Sequence, residues 1–374
     1  MVGNMTDYVL REGRFHFWEK PFCDVDSLVL SQLSYLKFDG IVSDVDAGEA
    51  GVSIQELAAC ADYEKMFADE RYREVNQKLF SALKGSLRFR NTKLNFYENI
   101  IDTNKETQFS AVTCLLEDKT VYIAFRGTDE TIVGWKEDFN MAFRKPVTGQ
   151  LISARYLNHA AEKFGGPFLL GGHSKGGNFA VFAAMRCEKS VQERIVKVYS
   201  HDGPGFRPEL LKSDEYEAIE ERVCKILPHS SMVGMLLQHQ ENYKVVECRR
   251  FGLLQHDPFN WLIQGDDFVR VEDISYGRRL LDDTVNEWIL SLKEEQLTIF
   301  VDTLFQVIGA SEADNLIDMA AEWKKSAAGV FGAVKEMDED TRTVLKKIMK
   351  QLFDIVSHRM RESLRRNGNE KQKR

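Results

Sequence analysis

The sequence predicts an α/β fold, a mostly parallel central sheet flanked by helices, with a helical extension before it and a helical region after it. Three observations point there. From about residue 88 to residue 248, short apolar and β-branched runs alternate with stretches of helical spacing. Such alternation builds parallel strands joined by helices that cover both faces. One of these runs, Pro167–Leu170, enters a glycine pair, then Ser174, Lys175 and two further glycines before a stretch of helical apolar spacing. Beyond Gly277 strand signals cease, and only amphipathic helical patterns follow.

The composition is that of an ordinary globular chain: 374 residues, 43% hydrophobic and 29% charged. A net charge of −8 argues against a general nucleic-acid binder, which needs a basic surface for phosphates. The N-terminus has no uninterrupted apolar segment of the secretory kind, and no apolar run is long enough to span a bilayer. The six cysteines (Cys23, Cys60, Cys114, Cys187, Cys224, Cys248) are scattered, without C-x-x-C spacing or paired histidines. They read as free thiols in a reducing cytoplasm, with neither disulfides nor zinc. The expected organisation is a helical N-terminal extension over 1–85, an α/β core over 86–277 and a C-terminal helical region over 278–374.

In chain order, Asp24–Phe38 places Val25, Leu28, Val29, Leu33 and Leu36 at helical spacing, with Asp24 or Asp26 as its cap. Residues 39–52 read as a loop. Ser53–Leu83 reads as two charged amphipathic helices whose aromatics, Tyr63, Phe67, Tyr72 and Phe80, pack in the core. Leu87–Tyr97, Phe109–Leu116 and Thr120–Phe125 read as an antiparallel meander, turning at Glu117-Asp118-Lys119. Then follow a helix over Ser153–Phe164, a buried strand over Pro167–Gly171 and a helix over Asn178–Cys187. Strands at Ile195–Ser200, Arg222–Leu227 and Tyr243–Cys248 come next, with a helix at Pro208–Glu221. Three C-terminal stripes, starting at Trp288, Leu316 and Val344, read as helices that pack together, on the α/β core or on a second copy of the chain. The basic tail after them reads as solvated and frayed, with contact to an anionic membrane or nucleic acid as the other use of such a tail.

Residues 167–185 carry the chemistry. Gly172-His173-Ser174-Lys175-Gly176 at a strand-to-helix junction is a G-x-S-x-G nucleophile elbow, the signature of the α/β-hydrolase fold. The serine sits on a strained turn, and glycine two positions either side removes collisions with the neighbouring strand and helix. The helix that follows aims free N–H groups at the place where an oxyanion would form. A serine needs a base and a third group to hold that base, in chain order serine, acid, histidine. His256 suits the base, in a loop after the last strand, opened by Gly252 and closed by Pro258. His229 and His239 are the reserves. Asp202 suits the acid, at the end of the strand after the elbow helix. Asp257 adjoins the base, but neighbouring side chains in extended backbone point apart. Oxyanion donors are expected from the N–H of Lys175 and from Gly127-Thr128-Asp129 after a strand.

Ala124-Phe125-Arg126-Gly127-Thr128, then Trp135-Lys136-Glu137-Asp138-Phe139, then Gly172-His173-Ser174-Lys175-Gly176-Gly177, together resemble the class 3 (fungal-type) lipases over about residues 90–265. The layout is similar to a bacterial lipase-like branch of that group. The resemblance implies Thr128 as the oxyanion threonine and Ser174 as nucleophile. It also marks a departure: where those lipases carry the acid, in a D-x-V-P stretch, this chain has Ser231 in Pro228-His229-Ser230-Ser231-Met232-Val233-Gly234. Met232–Leu237 is apolar and reads equally as a lid or acyl groove and as core.

The expected activity is that of a serine hydrolase cleaving carboxylic esters of small molecules or lipids. Ser174, His256 and Asp202 form its triad, Thr128 and Lys175 its oxyanion hole, and no metal or organic cofactor takes part. The competing expectation is an idle hydrolase-fold interaction protein that uses its C-terminal helices for partners or for oligomerisation.

Overall fold

The fold was obtained as a computed structural model. It describes residues 2–45, 51–69, 72–104, 106–128, 141, 146–231, 233–237, 243–250 and 252–272, and scattered positions within 284–300 and 339–355. The chain divides into two compact units. One holds Met1–Asp129 and Pro146–Ile274, the other Glu130–Lys145 and Ser275–Arg374. The Trp135–Phe139 motif, His239, the stripe starting at Leu316 and the basic tail lie outside the described residues.

In the first unit the strands are β1 (Val2–Gly3), β2 (Val52–Ser53), β3 (Lys93–Asp102), β4 (Thr107–Leu115), β5 (Val121–Phe125), β6 (Phe168–His173), β7 (Ile195–His201), β8 (Val223–Pro228), β9 (Tyr243–Val246), β10 (Ile263–Gln264), β11 (Asp267–Phe268) and β12 (Arg270–Val271). Nine of them make one sheet in the order β12-β9-β8-β7-β6-β5-β4-β3-β2. Its centre, β5 to β9, is parallel throughout. The meander β3-β4-β5 and the edge strands are antiparallel. This is an α/β-hydrolase sheet. β5 (VYIAF) is buried along its whole length, as a strand covered on both faces must be.

The helices that matter are α1 (Met5–Glu12), α2 (Asp24–Leu33), α3 (Ile54–Leu57), α4 (Arg73–Gly85), α5 (Thr148–Lys163) and α6 (Lys175–Arg186). All ten residues of α2 are buried. Val25, Leu28, Val29 and Leu33 join the core, while Ser27 and Ser31 each reach the Tyr122 hydroxyl at 2.8 Å. The capping position of α2 is Cys23 rather than either aspartate; Asp26 instead accepts the Cys23 N–H at 2.8 Å. Phe67 and Phe80 are buried edge to face, 5.9 Å apart, as core aromatics.

Several sequence expectations shift: the helix expected over Ser153–Phe164 starts at Thr148, the one expected over Asp24–Phe38 ends at Leu33, and three further changes have a visible cause. The first meander strand begins at Lys93, not Leu87, because Arg88 and Phe89 are committed to buried turns whose N–H groups bond Gly13 O and the Ser86 hydroxyl. Between α3 and α4 lies a 3₁₀ turn, Tyr63–Phe67, so the two expected helices become three shorter pieces. The helix expected at Pro208–Glu221 breaks into Pro208–Leu211, Asp214–Glu217 and a 3₁₀ turn at Glu220–Arg222. Ser213 causes the first break, its hydroxyl donating to Leu210 O and accepting the Tyr216 N–H that starts the next piece. The small sheet β1-β10-β11 was not read from the sequence at all; two-residue strands carry no periodicity.

In the second unit the described residues between 284 and 355 are largely helical. Trp288, Ile289, Leu292 and Ile348 are buried. The Trp288 indole N–H donates to the Ile348 carbonyl at 3.2 Å and its ring meets Phe300 edge to face at 5.1 Å. This ties part of the first expected stripe to part of the third.

Candidate active site

Ser174 sits between β6 and α6 with φ 58° and ψ −132°, a left-handed conformation that a side chain tolerates poorly. The turn is held by Ser174 N–H on the His201 carbonyl and Gly177 N–H on the Ser174 carbonyl, both at 2.9 Å. The glycines are required by distance. A Cβ on Gly172 would lie 2.2 Å from the Gly176 carbonyl carbon, and one on Gly176 would lie 2.1 Å from the Phe125 oxygen. Gly171, outside the motif, is needed for another reason: its Cβ would lie 1.9 Å from the Tyr122 hydroxyl.

The structure brings Ser174, His256 and Asp202 together. His256 Nε2 lies 2.9 Å from Ser174 Oγ, and His256 Nδ1 lies 2.6 Å from Asp202 Oδ2. The three come from the end of β6, the end of β7 and the 3₁₀ turn Gly252–His256. Asp202 is fully buried, and its other oxygen accepts bonds from the Ser231 hydroxyl and from Gly234 N–H at 3.1 Å. With that carboxylate as acceptor, His256 carries its proton on Nδ1, leaving Nε2 to accept from the serine. Ser231 therefore stands beside the acid and holds it. Asp257 turns away, one oxygen accepting Phe259 N–H and the other the Asn260 amide, each at 3.0 Å. His229, a reserve base, faces the Gln255 amide at 3.0 Å and Glu247 at 3.8 Å.

The loop that carries His256 is fixed from several sides. The Gln255 carbonyl accepts the Trp261 indole N–H at 2.8 Å, and the Gln255 side chain accepts Ser230 N–H at 2.8 Å. His173 Nε2 lies 2.8 Å from the His256 carbonyl, the two rings 4.6 Å apart. Burial, and then the neighbouring His256, keep the His173 ring far below the ordinary histidine range, so it is neutral. His201 beneath it is pushed down to about 3 by burial. Lys225, on β8, is pushed down to about 7 by burial, with the Asp202 charge opposing.

Lys175 opens α6, so its N–H belongs to the first turn of that helix. Its buried ammonium donates to Gln108 Oε1 at 3.3 Å. Gly127 lies against the nucleophile, a Cβ there falling 3.1 Å from Ser174 Cβ, and half-buried Thr128 follows it. Asp129 lies outside the described residues. Ser231, Gly234 and His173 were not anticipated as parts of the site. Among the described residues no group of three or more His, Cys, Asp or Glu could hold a metal ion. Among them, too, no helix is long and apolar enough to cross a membrane.

A parallel-centred sheet with a serine on its elbow and a histidine between serine and aspartate places the fold in the α/β-hydrolase class. The chain belongs to the Mbeg1-like family, whose model matches residues 83–306. Among solved structures it is similar to the native Rhizomucor miehei lipase propeptide complex, at 16% identity and a TM-score of 0.34 over 54% of this chain and 71% of that one. A fungal lipase–inhibitor complex is 17% identical at a TM-score of 0.32, covering 53% of this chain and 82% of that one. M37 lipase is 14% identical at a TM-score of 0.34, over 57% and 69%. No curated protein matches the chain.

Proposed function

We propose that the protein is a serine hydrolase cleaving carboxylic esters through an acyl-enzyme. One observation carries the reading: the His256 ring bridges Ser174 Oγ and Asp202, at 2.9 Å and 2.6 Å. His256 Nε2 takes the hydroxyl proton as Oγ attacks the ester carbonyl. The imidazolium formed donates through Nδ1–H to the Asp202 carboxylate. The tetrahedral oxyanion is met by the N–H groups of Lys175 and Thr128. Collapse expels the alcohol, which leaves with the proton from Nε2, and the acyl group stays on Ser174. Water then enters by the same path, His256 taking its proton, and the carboxylic acid departs with Ser174 restored. No metal or organic cofactor has a step in this scheme. The substrate class is a small-molecule or lipid ester, met in the cytoplasm or at a membrane surface.

An idle hydrolase fold would have drawn its support from a misplaced acid, and Asp202 lies within hydrogen-bond reach of the base. The test is a fluorophosphonate probe with an ester panel of increasing acyl length. Labelling is expected in the wild type and absent in Ser174→Ala, with turnover lower by up to about a million-fold. Equal labelling of both, or no hydrolysis anywhere on the panel, would overturn the proposal.

A further inference from the structure

Tyr35 follows α2 at the C-terminal ends of the parallel strands, outside the stretch that matches the family. Its hydroxyl lies 3.0 Å from His173 Nδ1. The direction of that bond follows from chemistry. The His173 ring is neutral and so has one N–H. Its Nε2 faces the His256 carbonyl, which can only accept, so the proton is on Nε2. Nδ1 is therefore bare, and Tyr35 donates to it. An unbroken chain runs Tyr35 O–H to His173 Nδ1, and His173 Nε2–H to the His256 carbonyl.

The same tyrosine oxygen meets the other half of the site. A Cβ on Gly127 would lie 2.1 Å from it, so the oxygen occupies the space where a side chain at 127 would go. Gly127 immediately precedes Thr128. One hydroxyl thus rests on the strand end that presents an oxyanion donor and holds, through one ring, the loop that presents the base.

We propose that Tyr35 is a positioning residue of the hydrolase, a wedge that sets the spacing between the Thr128 strand end and the His256 loop. The inference rests on the hydrolase reading above, but its hydrogen-bond chain can be observed without turnover. Misplacement of about an ångström, far from the reacting atoms, costs up to about 100-fold in rate.

The experiment compares wild type with Tyr35→Phe, which keeps the ring and removes the oxygen. A kcat lower by about 10- to 100-fold is expected, with KM within about twofold and an unchanged melting temperature. In ¹⁵N-histidine-labelled wild-type protein, His173 is expected as the neutral Nε2–H tautomer with a slowly exchanging proton. In Tyr35→Phe that proton is expected to exchange faster. Unchanged kcat in Tyr35→Phe, or a wild-type His173 protonated on Nδ1, overturns the proposal. So does a kcat loss matched by an equal rise in KM and a lower melting temperature. Should the wild type neither hydrolyse esters nor take the fluorophosphonate, the hydrolase reading fails, and the tautomer measurement still decides the Tyr35 chain.

Discussion

Asp202 concentrates the site's demands on one residue. Its backbone is left-handed, at φ 50°, and its carboxylate collects three donors, from His256, Ser231 and Gly234. Asp202→Asn replaces an acceptor with a group that can present N–H to the Nδ1 proton, forcing the wrong histidine tautomer. Turnover on any accepted ester is expected to fall by about 10⁴-fold, as removal of the orienting acid does in serine hydrolases generally. Ser231→Ala leaves the carboxylate in place with one donor fewer. A hydrogen bond to a charged group contributes about 1.5–3 kcal/mol, so a loss of about tenfold or more is expected, readable as kcat in steady state. Equal kcat in wild type and Ser231→Ala would mean that Gly234 N–H alone suffices. The contrast between these residues also explains what could be read in the sequence. Ser174, Asp202 and His256 were legible because each stands at a strand end or loop in a fixed chain order. Ser231, His173 and Tyr35 act through contacts spanning 29, 83 and 138 residues, and no local pattern announces such partners.

At the scale of elements, the sequence was most readable where the apolar period was long and least where a polar anchor decided the boundary. β4, β5 and β7 start within two residues of expectation because continuous apolar runs have few alternatives. The start of β3 moved because Arg88 is drawn into the core by Asp26. That pair also anchors α2. Asp26 accepts from Tyr8 OH and Arg88 Nε at 2.7 Å on one oxygen. On the other it accepts Arg88 Nη2 at 2.5 Å and Cys23 N–H at 2.8 Å. Arg88 spends its remaining donors on the carbonyls of Lys20 at 2.9 Å, Pro21 at 3.1 Å and His16 at 3.5 Å. Asp26→Asn would leave a buried guanidinium without its counter-charge, and breaking such a pair costs about 3–5 kcal/mol. Urea unfolding should show that loss as a lower midpoint with an unchanged slope. A midpoint equal to wild type would mean that the carbonyls alone hold Arg88. Since α2 also carries Ser27 and Ser31 to Tyr122, and Tyr35 follows it, disturbance at its start is expected to lower kcat as well.

For the whole molecule, the buried titratable groups fix how stability varies with pH. His173 and His201 are held neutral below the ordinary histidine value of 6.5, His201 at about 3, and His201 Nδ1 has no hydrogen-bond partner among the described residues. Below that value the unfolded chain binds protons that the native one refuses, so stability falls as pH drops from about 6.5. The slope is about 1.4 kcal/mol per pH unit for each histidine, continuing to about pH 3 for His201. Lys225 acts in the same sense in a higher window. Its folded value of about 7 lies below the ordinary 10.5, so its contribution is complete above 10.5 and is lost as pH falls towards 7. Thiols oppose this from above. Burial raises Cys23 and Cys187 to about 12, and also lifts Cys114 and Cys248, from an ordinary 9.0. Above pH 9 the unfolded chain releases protons that the native chain keeps, and stability drops. These signs together place the maximum on the alkaline side, near pH 8–9 rather than at neutrality. Urea midpoints measured from pH 5 to 10 should rise, pass through that maximum and fall. In Lys225→Met the rise between pH 7 and 9 should vanish while the fall below 6.5 persists. A wild-type maximum at or below pH 7, or a Lys225→Met curve parallel to wild type, would show that the β8 ammonium is not held in a dry site.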